Sequence, residues 1–179
     1  MKTPTATPLG ERAPTFSLPD LDGSTVTLES AMGPKGLIVA FICNHCPYVK
    51  AIADDLAKDA TILAKSGVHT VAIMPNDYAR YPADAPPKMR AFAEAHGFSF
   101  PYVLDESQDV AKSYGAACTP EFYGLDKDGV LRYHGRLDDG GARRSAERVP
   151  ELVHAMRKIA DGAEPPPANR AMGCSIKWR

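Results

Sequence analysis

Two cysteines separated by two residues are the strongest candidates for chemistry in this sequence. The segment FICNHCPYVKAI, residues 41–52, places Asn44 and His45 between Cys43 and Cys46, with a proline directly after the pair. Such a pair can close a small disulfide, bind a metal ion, reduce a peroxide or remain two inert buried thiols. The elements around the pair bear on the choice between these chemistries.

The pair lies at the junction between a predicted strand and a predicted helix. GLIVAFI, residues 36–42, is a continuous apolar run, which predicts a strand buried on both faces. Apolar side chains then recur at helical spacing until Gly67, which ends the helix. Pro47 suits the first turn of that helix, because the missing N–H is not needed there. The helical stripe consists of Val49, Ile52, Leu56, Ala60 and Leu63.

A thiol at this junction is in a good position to ionise. The first turn of a helix offers unpaired N–H groups and the positive end of the helix dipole, and both stabilise a thiolate. His45, when protonated, would add a positive charge. We therefore expect Cys43 to act as the nucleophile, with Cys46 resolving the mixed disulfide.

Strands and helices alternate along the rest of the chain. This order predicts a mixed sheet covered on both faces. The predicted elements are a hairpin turning at residues 22–23, a strand at 68–74, a helix ending at Gly97, a short strand and short helix within 101–115, a hairpin turning at 127–129, and a last helix over 147–161 capped by Ser145 and stopped by Gly162.

The overall composition is that of one globular domain. The chain has 179 residues, a hydrophobic content of 44% and a net charge of −1, which provides no basic surface for nucleic acid or for an anionic membrane. The longest apolar run is too short to span a bilayer, and the N-terminal residues lack a signal-peptide pattern. Four cysteines in such a chain indicate reactive thiols or a metal rather than a disulfide scaffold. We expect a cytoplasmic protein with neither nucleic acid nor membrane as a partner.

Several stretches resemble the thioredoxin superfamily. In CTPEFYGLDKDGVLRYHG, Thr119 and Pro120 resemble the threonine and cis-proline that face the redox pair in that fold. APTFSLPDLDGSTVTL resembles the N-terminal hairpin of the alkyl hydroperoxide reductase/thiol-specific antioxidant, or peroxiredoxin-like, branch, and this resemblance extends over residues 13–161. The stretch MPNDYARYPADAPPKM and the tail GCSIKW resemble a peroxiredoxin-like subgroup named as thiol-disulfide isomerases or peroxiredoxins. The resemblance implies an α/β thioredoxin-like fold, with a central mixed β-sheet flanked by helices and an N-terminal β-hairpin extension.

The departures from the family pattern leave two activities open. Thioredoxins carry tryptophan before the pair and Gly-Pro within it, where this chain has Ile42 and Asn44-His45. Peroxiredoxins carry Thr-x-x-Cys, so that Cys43 replaces the threonine and Cys46 takes the peroxidatic position. We expect a thiol-disulfide oxidoreductase, with a thiol-dependent peroxidase as the alternative. Either enzyme would act on protein or small-molecule disulfides or on hydroperoxides, with a thiol reductant system and without a cofactor.

A metal-binding chaperone of the same fold is a third hypothesis. It would hold zinc or copper with Cys43, His45 and Cys46. Adjacent histidine and cysteine side chains cannot easily both point inward with Cys43, and structural zinc usually needs a second ligand pair. We therefore expect no metal. A redox sensor whose pair oxidises without turnover is a further alternative.

The C-terminal segment differs in composition from the domain before it. We expect a thioredoxin-like domain over residues 1–162 and a proline-rich linker with a docking tail over residues 163–179. Near its end the tail carries Ile176 and the single tryptophan, Trp178. We expect these side chains to dock on the domain or on a partner chain, and docking on a partner chain would give a homodimer. Cys118 and Cys174 are candidate accessory thiols. Cys174 is either a distal resolving cysteine or a passive thiol.

Overall fold

The fold is a five-stranded mixed sheet with helices on both faces. A computed structural model describes residues 6–179. The part of the N-terminal expectation that falls on residues 1–5 lies outside the described residues. The elements are β1 Ser17–Pro19, β2 Thr25–Thr27, α1 Leu28–Ala31, β3 Gly36–Phe41, α2 Pro47–Lys65, β4 Val68–Met74, α3 Pro86–Ala95, β5 Tyr102–Leu104, α4 Asp109–Tyr114, β6 Cys118–Thr119, β7 Glu121–Asp126, β8 Leu131–Gly135, α5 Glu151–Ala160 and β9 Cys174–Ser175.

Strand β3 is the centre of the main sheet, whose order is β5-β4-β3-β7-β8. It pairs in parallel with β4 and antiparallel with β7. All six residues of β3 are buried, as the apolar run predicted. The strand therefore delivers the segment that follows it to the middle of one end of the sheet.

Each face of the sheet covers its own apolar core. On one face α2 and α5 pack against the strands, and the predicted apolar stripe of α2 is buried as a whole. On the other face lie the β1–β2 hairpin, α1 and α4. The predicted N-terminal hairpin and the mixed sheet flanked by helices are both confirmed.

The last helix begins later than the sequence predicted. Its first residue is Glu151 and Pro150 takes the N-cap position, whereas Ser145 bonds only within its own loop, accepting the N–H of Glu147 at 3.0 Å. Arg148, two residues before Pro150, forms ion pairs with Asp59 of α2 and with Asp138 of the loop after β8, and these pairs hold this segment outside the helix.

The C-terminal tail returns to the domain, which the docking prediction required. Strand β9 pairs antiparallel with β6, and Ile176 is buried against the same core as α4. Trp178 is partly buried there. Within residues 6–179, no helix combines the length and the apolar composition that crossing a bilayer requires.

Candidate active site

The cysteine pair lies between the end of β3 and the start of α2, as expected. One residue, Ile42, separates Cys43 from the end of β3. Cys46 is the N-cap of α2, with Pro47 in its first turn. Neither cysteine has any exposed surface. The local sequence explains this placement, because the apolar strand buries Cys43 while proline in the first turn fixes the helix start at Cys46.

The loop that contains Pro120 faces the pair. The Thr119–Pro120 peptide bond is cis, as the resemblance predicted. The Thr119 hydroxyl lies 3.3 Å from Cys43 Sγ, and its carbonyl oxygen lies 3.3 Å from Cys46 Sγ. Thr119 therefore contacts both sulfurs and fixes their position relative to the loop.

The surroundings of the two thiols differ in a way that reverses the expected order of ionisation. The Cys43 thiol, donating toward Cys46, lowers the pKa of Cys46 to about 4, with help from Cys174 and from the backbone N–H of Val49. The pKa of Cys43 is raised, first by that same interaction and then by burial and the charge of Asp84. The Thr119 carbonyl favours a protonated Cys46 but is outweighed. We expected the thiolate on Cys43, and the electrostatics favour it on Cys46.

A buried carboxylate that sequence reasoning missed organises the far side of the pair. Asp84 has no exposed surface, and its Oδ1 accepts the backbone N–H of Asn44 at 2.8 Å. Its Oδ2 accepts the side-chain N–H of Asn76 at 3.0 Å. The Asn44 side chain also accepts a hydrogen bond from the hydroxyl of Tyr102 at 2.8 Å. Asp84 is the last residue of a single-turn 3-10 helix, Pro82–Asp84, which is too short to show a periodicity, so the only signal for it was the resemblance of the surrounding stretch.

His45 faces Asp84 rather than the cysteine sulfurs. Its Nδ1 lies 2.6 Å from Asp84 Oδ2, although this contact lacks hydrogen-bond alignment and no other described residue bonds that nitrogen. The ring stacks on Tyr81, with the centroids 5.7 Å apart. A charge on His45 would therefore compensate the carboxylate, and a ring nitrogen of His45 also lies within 4.8 Å of Cys43 Sγ.

Among residues 6–179, one group of possible metal ligands is found, and it lies at the pair. Donor atoms of Cys43, His45 and Asp84 lie within 4.8 Å of one another. The metal hypothesis had used Cys46 as its third ligand, and this group replaces Cys46 with Asp84. Asp84 already accepts two hydrogen bonds, which leaves it fewer free lone pairs for an ion.

The two accessory thiols differ in their relation to the pair. Cys174 interacts with Cys46 through its side chain and its backbone, and the strand register places it opposite Thr119. Burial, and then the interaction with Cys46, raise the pKa of Cys174 to about 11. Cys118 contacts the Pro120 carbonyl at 3.9 Å, and burial raises its pKa to about 12. The structure thus brings Cys174 to the pair and keeps Cys118 beside the loop.

An open cleft adjoins the cis-proline loop. It has a volume of about 350 Å³ and is lined by Tyr48 and Ile52 of α2, by Pro120 and by the loop after β8. Arg136 forms one edge of this cleft and pairs with Glu151 at 2.8 and 2.7 Å. Since the cleft combines apolar side chains with charged ones, including Arg136 and Arg143, it is the candidate site for the body of a substrate.

Comparisons with known proteins relate the chain to thiol-based redox proteins. The pattern of the AhpC/TSA family matches residues 9–134. The chain is 30% identical over 132 residues to peroxiredoxin Bcp of Escherichia coli, covering 74% of this chain and 80% of that protein. It is 29% identical over 130 residues to thiol-disulfide oxidoreductase ResA of Geobacillus thermodenitrificans, covering 72% of this chain and 69% of that protein.

A solved structure extends the likeness to almost the whole chain. The crystal structure of a conserved protein from Geobacillus kaustophilus superposes with a TM-score of 0.91 at 40% identity, covering 96% of this chain and 93% of that one. The likeness therefore extends well beyond the residues that the family pattern matches.

Proposed function

The chain belongs to the AhpC/TSA family of the thioredoxin superfamily and is a thiol-based oxidoreductase, and from this premise we propose that it exchanges disulfides through Cys43 and Cys46. The observation that carries the proposal is the placement of the two sulfurs at the start of α2, where both contact Thr119 and where the pKa of Cys46 is lowered while that of Cys43 is raised. A thiolate next to a protonated thiol supplies both a nucleophile and a resolving group.

The reaction proceeds by two exchanges. The Cys46 thiolate attacks one sulfur of a substrate disulfide, the substrate S–S bond breaks, and the departing thiolate takes up a proton. Cys43 then loses its proton and attacks Cys46 Sγ, which releases the second substrate thiol and leaves a Cys43–Cys46 disulfide. Two electrons pass to the substrate, and a thiol reductant restores the pair.

The supporting residues have positioning roles in this proposal. The hydroxyl of Thr119 orients Cys43, and the cis-proline loop holds Thr119 against both sulfurs. Asp84 fixes the turn between the cysteines and adds to the interaction with Cys46 and to burial in raising the pKa of Cys43, while the ring of His45 lies against the Asp84 carboxylate. Cys46 therefore takes the nucleophilic role that we had expected of Cys43.

A thiol-dependent peroxidase is the second candidate, and two observations favour it. Cys46, the peroxidatic position of the family pattern, is the cysteine with the lowered pKa. The edge of Thr119, where the strand of a protein substrate would add, is already paired with β9. In this reaction Cys46 attacks the O–O bond, an alcohol leaves, and Cys46 becomes a sulfenic acid. Cys43 then displaces water to form the same disulfide.

Parallel assays on matched variants distinguish the candidates. Reduction of insulin and of a small disulfide, and consumption of a hydroperoxide, are measured with one dithiol reductant on the wild type, Cys43→Ser and Cys46→Ser. Disulfide exchange predicts acceleration of disulfide reduction that disappears in both variants, with Cys118→Ser as a thiol control that keeps it. Hydroperoxide consumption that depends on Cys46, without disulfide reduction, would select the peroxidase. Bound zinc or copper without either turnover would select the metal chaperone.

A further inference from the structure

The C-terminal tail occupies the edge beside the redox pair through specific contacts. Its backbone makes hydrogen bonds with three buried side chains or loops of the domain: Lys177 N–H to Asn76 Oδ1 at 2.9 Å, Asp77 N–H to the Lys177 carbonyl at 2.9 Å, and Gln108 to the Lys177 carbonyl at 2.9 Å. Ile176 is only 3% exposed. The tail is therefore a built part of the site.

The tail approaches the loop at a position that accepts no side chain. A Cβ on Gly173 would lie 2.1 Å from the Thr119 carbonyl oxygen. That same carbonyl lies 3.3 Å from Cys46 Sγ. Glycine at this position thus lets the next residue, Cys174, pair with Thr119 and face the Cys46 sulfur.

The three thiols form a path from the interior toward the surface. Cys43 and Cys46 have no exposed surface, whereas Cys174 is partly exposed. We propose that Cys174 relays disulfide exchange between small thiols or disulfides in solution and the buried pair, through a transient Cys46–Cys174 disulfide. This inference rests on the proposed function, because it requires that the Cys43–Cys46 pair cycles.

Each step of the relay conserves atoms and electrons. A small disulfide exchanges with the Cys174 thiol, giving a mixed disulfide on Cys174 and one small thiol. The Cys46 thiolate attacks Cys174 Sγ, and the second small thiolate leaves and takes up a proton. Cys43 loses its proton and attacks Cys46 Sγ, which releases Cys174 as a thiol and forms the Cys43–Cys46 disulfide.

The same path in reverse uses the low pKa of Cys46. When a small thiolate attacks the exposed Cys174 sulfur of the Cys46–Cys174 bond, the leaving group is Cys46, and a thiol of low pKa leaves fastest. Attack therefore falls on Cys174, the partly exposed sulfur, and the interaction with Cys43 that lowers the pKa of Cys46 favours Cys46 as the leaving group.

Removal of the last exchange partner should trap the intermediate. Full-length Cys43→Ser protein is treated with oxidised glutathione, alkylated, digested with trypsin and analysed by mass spectrometry. Cleavage after Lys35, Lys50, Arg170 and Lys177 yields residues 36–50 with Cys46 and residues 171–177 with Cys174. The relay predicts a disulfide between these two peptides, and Cys118→Ser in the same background should leave it unchanged. A persistent glutathione adduct on Cys46, with Cys174 alkylated, would overturn the relay.

Three further measurements separate the relay from a failure of the proposed function. Oxidised wild type must show the Cys43–Cys46 disulfide, and its absence would count against the proposed function itself. In Cys174→Ser, re-reduction of that disulfide by glutathione should slow by about tenfold or more, because both remaining sulfurs are covered. Gly173→Ala, which keeps every thiol, should lose most of the trapped Cys46–Cys174 bond when combined with Cys43→Ser. An unchanged re-reduction rate in Cys174→Ser would contradict the relay.

Discussion

At the scale of single residues, two cysteines close together in sequence have opposite environments. Cys43 lies two residues after the end of a buried strand, and its interaction with Cys46, then its burial and the charge of Asp84, favour its neutral form. Cys46 begins a helix and receives donors from Cys43 and Cys174, which favour its charged form. In the reduced pair the proton therefore favours Cys43. Cys46 is then the nucleophile and Cys43 the resolving thiol in our proposal.

The first prediction concerns the pKa of Cys46. Ultraviolet thiolate absorbance of the reduced wild type should show a titration near the pKa of about 4, and Cys46→Ser should lose it. Cys43→Ala removes the largest cause of the shift and should raise this pKa, whereas Cys43→Ser keeps a hydroxyl donor and should raise it less. If the wild type shows titrations only near the ordinary cysteine value of about 8.5, the thiolate assignment is wrong.

The lowered pKa of Cys46 also makes the stability of the reduced protein depend on pH. Because the folded pKa lies below the 9.0 of a free thiol, the thiolate stabilises the reduced fold fully above about pH 9. That contribution declines as the pH falls and is lost below about 4. The difference in unfolding free energy between wild type and Cys46→Ser should accordingly shrink on acidification, apart from the effect of the substitution that does not depend on pH.

The second prediction concerns His45 and the reduction potential. A stabilised thiolate favours the reduced pair, so the potential should lie above the ~−270 mV of thioredoxin and below the ~−120 mV of the strongest thiol oxidant. His45→Gln leaves the charge of Asp84 uncompensated near Cys43, which disfavours a negative charge on the pair, and the potential should fall by tens of mV, since ~30 mV corresponds to ~1.4 kcal/mol. Equilibration with glutathione buffers measures it. Tyr81→Phe keeps the stacked ring and serves as the control, and an unchanged potential in His45→Gln would remove His45 from the mechanism.

At the scale of elements, the tail completes the site although it lies outside the main sheet. Strand β9 contributes two residues and pairs with an equally short β6. Ile176, buried two residues after Cys174, anchors this pairing to the core behind it. We propose that residues 163–179 act as a linker and cover for the domain over residues 1–162, so that docking of the tail sets access to the pair.

The third prediction tests this anchor. Ile176→Ala removes a buried side chain, a change that costs about 2–5 kcal/mol in a protein core. If this cost weakens the docking of the tail on the domain, Cys46 should be alkylated faster in the native protein. The fluorescence emission of Trp178 should also shift to the red. Val149→Ala, at a position that is 45% exposed, is the matched control and should leave both unchanged. Unchanged alkylation in Ile176→Ala would show that the tail does not limit access.

Sequence patterns predicted the long elements well and the short ones poorly, for a physical reason. The apolar stripe of α2 repeats over several helical turns, and the apolar run of β3 covers the whole strand, so both patterns can be recognised in the sequence. Two-residue strands such as β6 and β9 have no period, and their pairing depends on a contact between segments far apart in the chain. The late start of α5 likewise depends on ion pairs of Arg148 with side chains on another element.

At the scale of the whole molecule, a cluster of buried charges connects the loop before α5 to α2. Arg148 donates to Asp59 at 2.9 and 2.6 Å and to Asp138 at 3.1 Å. Arg144 joins the same cluster through Asp138 and Asp55. Nothing in the sequence pairs these residues, since each partner on α2 is 89 positions away from its arginine. Yet Asp138 of the cluster belongs to the loop that lines the cleft beside Pro120, so the cluster connects the stability of the domain to the shape of that cleft.

The last prediction concerns this cluster and its effect on the cleft. Arg148→Met should leave Asp59 with an uncompensated buried charge and lower the unfolding free energy by about 3–5 kcal/mol, as the loss of one buried partner usually does. Arg132→Met breaks the more exposed pair with Asp126, so it is the matched control and should cost at most about 1 kcal/mol. Guanidinium unfolding of the reduced proteins measures both. Adding Asp59→Leu to Arg148→Met should restore part of the loss, because the unpaired charge is then gone. Equal costs for Arg148→Met and Arg132→Met would mean that the cluster behaves as a surface network, and the loop beside the cleft would then be held by its apolar contacts instead.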